Sequence, residues 1–478
     1  MRYHLVRYVG FGGAVLLAVA AYLGGALPTL EPGVTPVSIW QGEHGPLIIT
    51  CWLVGTGALA GAWWAARHTV PSARWAYVTI GLWSLPLLVA PPLESRDVYA
   101  YACQGATYAA GFNPYEQGVS ALPCPWLDSI SPIWRDTPAP YGPLFVFISG
   151  WVVDSTESLG LIVAVFRLIA VLGVVLTAFG LPTLARRCGV PVKRALWLAL
   201  ASPLVGVHLI SGAHNDALMV GLLVCGLAVV AARPGRPVAL SAGGLLLGLA
   251  AAIKVTAAVV VPFAAVAAIA GPYRVRALVR QGGWVVGGTV AALMGVTIVS
   301  GLDFGWIAGL SRSGDSVQWS SPPTAIGMTI DYLGRPFGGA LDAVPAARTA
   351  GMLLLAGVLV VLWWRARTRN PLYGAGLALA ATVALAPVFH PWYATWPLAV
   401  LAATALRTKW FTVVALVASF LVLPDGTGLP RYTKFPGAPL MMLLIVVVVV
   451  RVLRRMREDR AIFGELSALE EAESVSRR

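Results

Sequence analysis

Long apolar runs, separated by short polar turns or by proline and glycine, fill most of this chain, and no other feature limits its fold as strongly. A bilayer leaves no solvent to satisfy backbone N–H and C=O groups, so an isolated spanning run must be a helix. Such a run needs about 20 mostly apolar residues. Runs and their breakers predict fourteen spans, beginning with roughly 5–27, 47–66 and 75–91. After a polar insertion come roughly 159–183, 195–212, 216–232, 238–253, 256–271 and 283–301. A second polar stretch precedes roughly 349–365, 371–388, 394–406, 410–424 and 437–453. The stretches 238–271 and 394–424 are short and open to a different count. Charged residues are only 12% of the 478, and mean hydropathy is +0.77. A soluble protein carries about 25% charged residues. Soluble globular, disordered and disulfide-stapled secreted classes are thereby excluded. The predicted fold class is an all-α polytopic membrane protein, with residues 1–455 as one integral domain and 456–478 as a charged cytoplasmic tail.

The net charge of +13 would suggest nucleic acid in a soluble chain. Here it follows the retention of Lys and Arg on the cytoplasmic side. With the N-terminus inside, the cytoplasmic segments hold 25 of the 34 basic residues, and Arg167 and Lys254 fall within spans. Both termini are therefore expected in the cytoplasm of a plasma-membrane protein. Residues 1–27 read as a span that is kept and not cleaved. The glycines at 243–248 lie inside a span and read as close helix packing, not a phosphate loop.

Two outer segments, 92–158 and 302–348, are too long and too polar to be mere connectors. In the first, Val98–Ala110 and residues 143–153 have the pattern of helices lying on the membrane surface. The loop as a whole reads as a folded cap on the bilayer. Cys103 and Cys124 share it, and a disulfide or two free thiols are both open. Cys51 and Cys225 read as buried apolar residues, and no spacing suggests a metal.

Five constellations offer chemistry, all on the predicted outer side. Asp97, beside Arg96 at the exit of the third span, suits a general base or an interfacial Arg–Asp pair that anchors the span. His214, Asn215 and Asp216 lie at a turn between spans, where Asp216 could equally cap the following helix. Lys254 interrupts the apolar run Leu249–Val261, and an ionisable group at such depth is a functional candidate by default. Snorkelling to the interface is the alternative. The run from Phe389 to Pro397, with His390, Trp392, Tyr393 and Trp396, suits a sugar or isoprenoid phosphate or an aromatic belt. The last is the loop around Arg312, Gln318, Trp319, Ser320 and Ser321.

An Asp opening the first outer loop, then a helix, then Gly111-Phe112-Asn113-Pro114-Tyr115 and Pro140-Tyr141-Gly142-Pro143-Leu144, resembles the GT-C glycosyltransferases that use polyprenyl-phosphate sugars. The stretches Ser95–Tyr115 and Ser131–Leu144, with Gly212–Leu218 and His390–Tyr393, are more narrowly similar to actinobacterial α-1,6-mannosyltransferases of lipomannan and lipoarabinomannan synthesis. The likeness spans about Glu94 to Pro439. It implies a GT-C bundle of about 14 transmembrane helices with a folded extracytoplasmic loop. It implies metal-independent, inverting transfer of mannose from polyprenyl-phosphate mannose to the 6-hydroxyl of a lipid-anchored α-1,6-mannan, with no cofactor and no nucleic acid. Asp97 would be the base. Arg96, Lys254, Arg312, His390 and Tyr393 would bind donor phosphate or sugar. His214, Asn215, Asp216, Tyr141 and Trp319 would form an acceptor or secondary site. Many relatives carry an acidic pair in the first loop, whereas here Ser95 stands two before Asp97, which disfavours a metal-bridged pyrophosphate donor. The alternatives are transfer of arabinofuranose or glucose by the same chemistry, or transport of a lipid-linked saccharide. A transporter should show discontinuous spans and an internal repeat.

Overall fold

The computed structural model describes residues 3–30, 34–337, 339 and 341–454. The predicted tail at 456–478 lies outside the described residues. Every predicted apolar run is helical, and no strand occurs among the described residues. In chain order the helices are α1 (Tyr3–Gly24), α2 (Gly45–Ala66), α3 (Ala73–Val89), α4 (Asp97–Ala109), α5 (Pro143–Asp154) and α6 (Leu159–Arg187). Next come α7 (Val192–Leu200), α8 (Asp216–Ala232), α9 (Pro237–Ile253), α10 (Val261–Ala267) and α11 (Val275–Ser300). The last are α12 (Pro322–Gly334), α13 (Ala343–Ala366), α14 (Pro371–Leu385), α15 (Thr395–Thr404), α16 (Lys409–Ala418) and α17 (Lys434–Arg454).

Among these, α1, α2, α6, α11, α13 and α17 are long and apolar enough to cross a membrane. A seventh span results if α7 is joined to the π-helical turn Val205–Ser211 across a 62° bend. The chain is thus a multi-pass membrane protein. The other helices are shorter, at 7–17 residues, so span by span the number fourteen goes beyond what helix length supports. Discontinuous helices were not expected, yet two matter. One is the bent α7 pair. The other is α9, which stops at Lys254 in extended backbone (φ −150°, ψ 115°) before a 3-10 turn and α10.

Helix α9 packs between α8 and α11, and its glycines make the contacts. A Cβ on Gly243 would lie 2.5 Å from Val230, and one on Gly244 would lie 2.2 Å from the Val285 carbonyl. The predicted close packing at 243–248 is therefore real, and small residues let two backbones meet.

Both helices expected in the first outer loop form, but α4 does not rest on a bilayer. Nine of its thirteen residues are buried, on every side, against α5 and the loop itself. Only α5 keeps apolar exposure, at Trp151 and Phe147. Cys103 and Cys124 are joined in a disulfide, which ties α4 to the 110–142 segment. The two loop motifs are tied together as well. The Tyr115 hydroxyl donates to the Tyr141 carbonyl (2.9 Å), and the Ala139 N–H to the Pro114 carbonyl (2.9 Å). The Gly142 N–H donates to the Ile253 carbonyl (2.9 Å), and a Cβ there would strike Ala252 at 2.3 Å. Glycine at 142 thus lets the loop dock at the end of α9, beside Lys254.

Closing a loop of this size by a disulfide contributes about 3 kcal/mol. We expect the Cys103→Ser/Cys124→Ser variant to unfold several degrees below the parent in a thermal-stability assay. An unchanged midpoint would show that backbone contacts alone hold the loop.

Candidate active site

Six sequence-distant segments converge around Asp97. It starts α4, and its carboxylate keeps 17% exposure. It lies on the wall shared by two cavities, together with Trp134, His390 and Trp392. The first cavity, ≈ 250 Å³, is lined by polar groups such as Ser131, Ser316, Gln318, Thr427 and Arg431. The second, ≈ 410 Å³, contains Lys254, Tyr141, Tyr393 and Trp396, and runs against Met352 and Leu355 of α13 and Val383 of α14. One side of the wall is thus mixed, with Arg96, Arg431 and Lys434 among its polar groups, and the other is mainly apolar, with a single cation.

Lys254 reaches its position because α9 ends there. Its Nζ lies 3.0 and 3.2 Å from the two carboxylate oxygens of Asp216. It also sits 4.4 Å from the Tyr393 ring centroid and 5.1 Å from that of Trp396. Asp216 is fully buried and takes a further hydrogen bond from the Trp396 indole N–H (2.6 Å). A buried ion pair needs further hydrogen bonds to persist, and the Trp396 indole supplies one to Asp216. An ammonium has three donors, so Lys254 can still serve a ligand in the cavity it lines. It is not the free cation expected from the sequence, nor does it snorkel.

The Asp97 carboxyl is pushed up to about 7, mainly by burial, with Lys254 opposing and Asp216 adding to the rise. A base with its midpoint near the working pH is the efficient one. Asp216 is saturated by its partners and lines neither cavity. Of the two carboxylates, only Asp97 has a position from which it can meet a hydroxyl.

The other candidates divide clearly. Tyr141, His390 and Tyr393 line the second cavity. His390 also faces the first, and burial pushes its imidazole down to about 3, with Lys254 adding to the drop. It is a neutral polar group and not a phosphate-binding cation. Arg96 does not pair with Asp97. Its guanidinium donates to the carbonyls of Leu27, Leu30, Ser129 and Asp425, so it clamps the loop. It also lines the first cavity, where its donors are already engaged by those carbonyls. Arg312 is exposed, pairs with Asp315 (3.1 Å) and lines neither cavity. The Trp319 indole donates to Thr433 (2.9 Å), away from both cavities. His214 and Asn215 are fully enclosed behind the wall.

Sequence reading assigned no role to Trp134, although it lines both cavities, or to the buried group Glu94, His208 and Trp52. The Trp52 indole donates to Glu94 (2.9 Å), whose other oxygen lies 3.5 Å from His208 Nε2. His208 is a lone histidine in an apolar run, and nothing local marks it.

A membrane-embedded bundle, a loop carboxylate on a divided cavity and a buried lysine define the class, a glycosyltransferase of the GT-C kind. The sequence model for the alpha-(1→6)-mannopyranosyltransferase N-terminal domain matches residues 7–270, and that for the MptB C-terminal domain matches residues 323–454. A probable alpha-(1→6)-mannopyranosyltransferase of Mycolicibacterium smegmatis is 33% identical, over 84% of this chain and 79% of its own. Alpha-(1→6)-mannopyranosyltransferase A of Mycobacterium tuberculosis is 31% identical, over 88% and 84%. Alpha-(1→6)-mannopyranosyltransferase B of Corynebacterium glutamicum is 30% identical, over 91% and 79%. The chain belongs to the alpha-(1→6)-mannopyranosyltransferase family. It is an enzyme that transfers mannosyl groups, and the transporter alternative falls with that, broken helices notwithstanding.

Proposed function

We propose that this enzyme transfers mannose, with inversion, from polyprenyl-phosphate mannose to the 6-hydroxyl of a lipid-anchored α-1,6-mannan on the outer face of the plasma membrane. The observation that carries this reading is the position of Asp97 on a wall with a mainly apolar, lysine-bearing cavity on one side and a cavity richer in polar groups on the other. The apolar side fits a prenyl chain entering past Met352 and Leu355, with its phosphate at Lys254 and the mannosyl carbon turned to the wall. The polar side fits a saccharide acceptor. Asp97 takes the proton of the acceptor hydroxyl as the oxygen bonds to C1. The C1–O bond to phosphate breaks, and its electron pair leaves with the phosphate. Lys254 and the Tyr393 hydroxyl stabilise the charge that develops there. One carboxylate suffices for inversion with such a leaving group, in contrast to the paired carboxylates of glycosidases. The charge asymmetry of the loops supports the outer-face placement.

The test uses purified protein in nanodiscs with EDTA, radiolabelled polyprenyl-phosphate mannose and a short α-1,6-dimannoside. We expect label in a product that an α-1,6-specific mannosidase cleaves. Label remaining on the lipid, with transfer from another polyprenyl-phosphate sugar, would overturn the mannosyl assignment.

A pH dependence follows from the base. Asp97 must be ionised to accept a proton, so kcat/KM should rise with pH through about 7 and fall about tenfold per unit below it. A flat profile from pH 5 to 8 would argue against Asp97 as the base.

A further inference from the structure

The backbone leading to His214 is distorted in two ways. Val205–Ser211 is wound as a π-helix, a rare form that is frequent at functional sites. Ala213 then takes φ 53°, in the left-handed region where a Cβ is crowded. Among the described residues only three non-glycine residues have positive φ, and a second is Glu94 (φ 58°), three before Asp97. Such strain persists where the surroundings over-determine it. Both strained residues stand just upstream of groups at this site, and a Glu94 carboxyl oxygen lies 3.5 Å from His208 Nε2 between the two segments.

The outcome of the distortion is the aim of one imidazole. His214 Nδ1 lies 3.6 Å from Asp97 Oδ2, 3.9 Å from Asp216 Oδ2 and 3.4 Å from the Tyr101 hydroxyl. The ring stacks at 4.2 Å on Trp392, which itself stacks at 4.6 Å on His390. Nε2 is buried without a hydrogen-bond partner. His214 has no exposure and lines neither cavity, so it touches no substrate.

We propose that His214 is a positioning residue for Asp97: its Nδ1–H holds the carboxylate at the wall between the two cavities and favours its ionised form. Burial first, and then the proximity of His208, of the Lys254 ammonium and of His390, keep the imidazole neutral. A neutral ring carries one N–H. Two carboxylates face Nδ1 and no acceptor faces Nε2, so the proton belongs on Nδ1. At 3.6 Å the contact with Asp97 is longer than a hydrogen bond, but an N–H dipole aimed at the charged form of an acid still favours that form. Lys254 acts on Asp97 in the same direction, while burial and Asp216 act in the opposite one. This role rests on the reading of Asp97 as the base.

The test compares His214→Asn with His214→Gln in nanodiscs, following kcat/KM against pH. The Asn amide can place an N–H near the Nδ1 position, whereas the longer Gln amide reaches toward Nε2. We expect Asn to keep the acid limb at its parental pH. Gln should move it up by about one unit, a roughly tenfold loss at low pH that vanishes at high pH. Tyr101→Phe, which keeps the ring packing, should leave the limb in place or lower it. Equal, pH-independent losses in Asn and Gln, unmoved limbs in both, or a raised limb in Tyr101→Phe would overturn the proposal. Failure of the underlying reading looks different: Asp97→Asn would then retain turnover and the limb would persist in it.

Discussion

Asp97→Asn is expected to give a folded protein that transfers almost nothing, with turnover down by roughly 10²- to 10⁴-fold, the usual worth of a positioned base. The substitution is nearly isosteric and leaves the Lys254–Asp216 pair and the Arg96 clamp untouched. The Asp97 N–H accepted by the Ser95 hydroxyl (3.1 Å) is a backbone group and survives as well. What disappears is the capacity to take a proton. The measurement is initial rate with donor saturating, beside a thermal midpoint within a degree or two of the parent. Near-normal turnover would reject Asp97 as the base. A lost rate with a collapsed midpoint would instead show Asp97 to be a folding element.

Lys254→Ala should be the most damaging change to the protein as a whole. It leaves the Asp216 carboxyl without exposure or a cation, with the Trp396 indole N–H as its remaining side-chain hydrogen bond. Stranding one member of a buried pair costs about 3–5 kcal/mol, a large fraction of a typical folding stability. The single variant therefore mixes stability with catalysis. Lys254→Met combined with Asp216→Asn removes both charges and keeps the volume. We expect that double variant to recover most of the stability of the parent and still turn over about 10²-fold more slowly, because the departing phosphate loses its cation. Transfer at the parental rate would reject the proposed role for Lys254. A double variant as unstable as Lys254→Ala would show that the pair is not the source of the instability.

The helices were legible in the sequence because apolar runs and their breakers act locally. The start and end of α8 at Asp216 and Ala232, and the two helices of the first outer loop, follow the pattern within a residue or two. The candidate site was partly legible for the same reason: a polar residue in an apolar setting stands out. Asp97, Lys254, His390, Tyr393 and Tyr141 do share one cavity. What the pattern does not carry is who pairs with whom. Lys254 meets Asp216 across 38 positions and Trp396 bonds Asp216 across 180, so the ion pair exists only in three dimensions. Arg96 looked like a ligand group because its partners are backbone carbonyls, which have no sequence signature. Arg312 and Trp319 lie in a polar outer loop, and composition alone does not show that their side chains turn away from the cavities. The bend after α7 escaped notice because a π-helical turn has the same apolar composition as the helix around it.

The shared wall of the two cavities is assembled from Asp97 and Trp134, near the start of the chain, and from His390 and Trp392, near its end. During synthesis these parts reach the membrane far apart in time. At roughly 5–20 residues per second, Asp97 is inserted about 15–60 s before the aromatic segment that completes its surroundings. Throughout that interval the carboxylate has no enclosed site and no stacked imidazole behind it. If Asp97 is the base, as proposed, no transfer is expected until the last few helices have arrived.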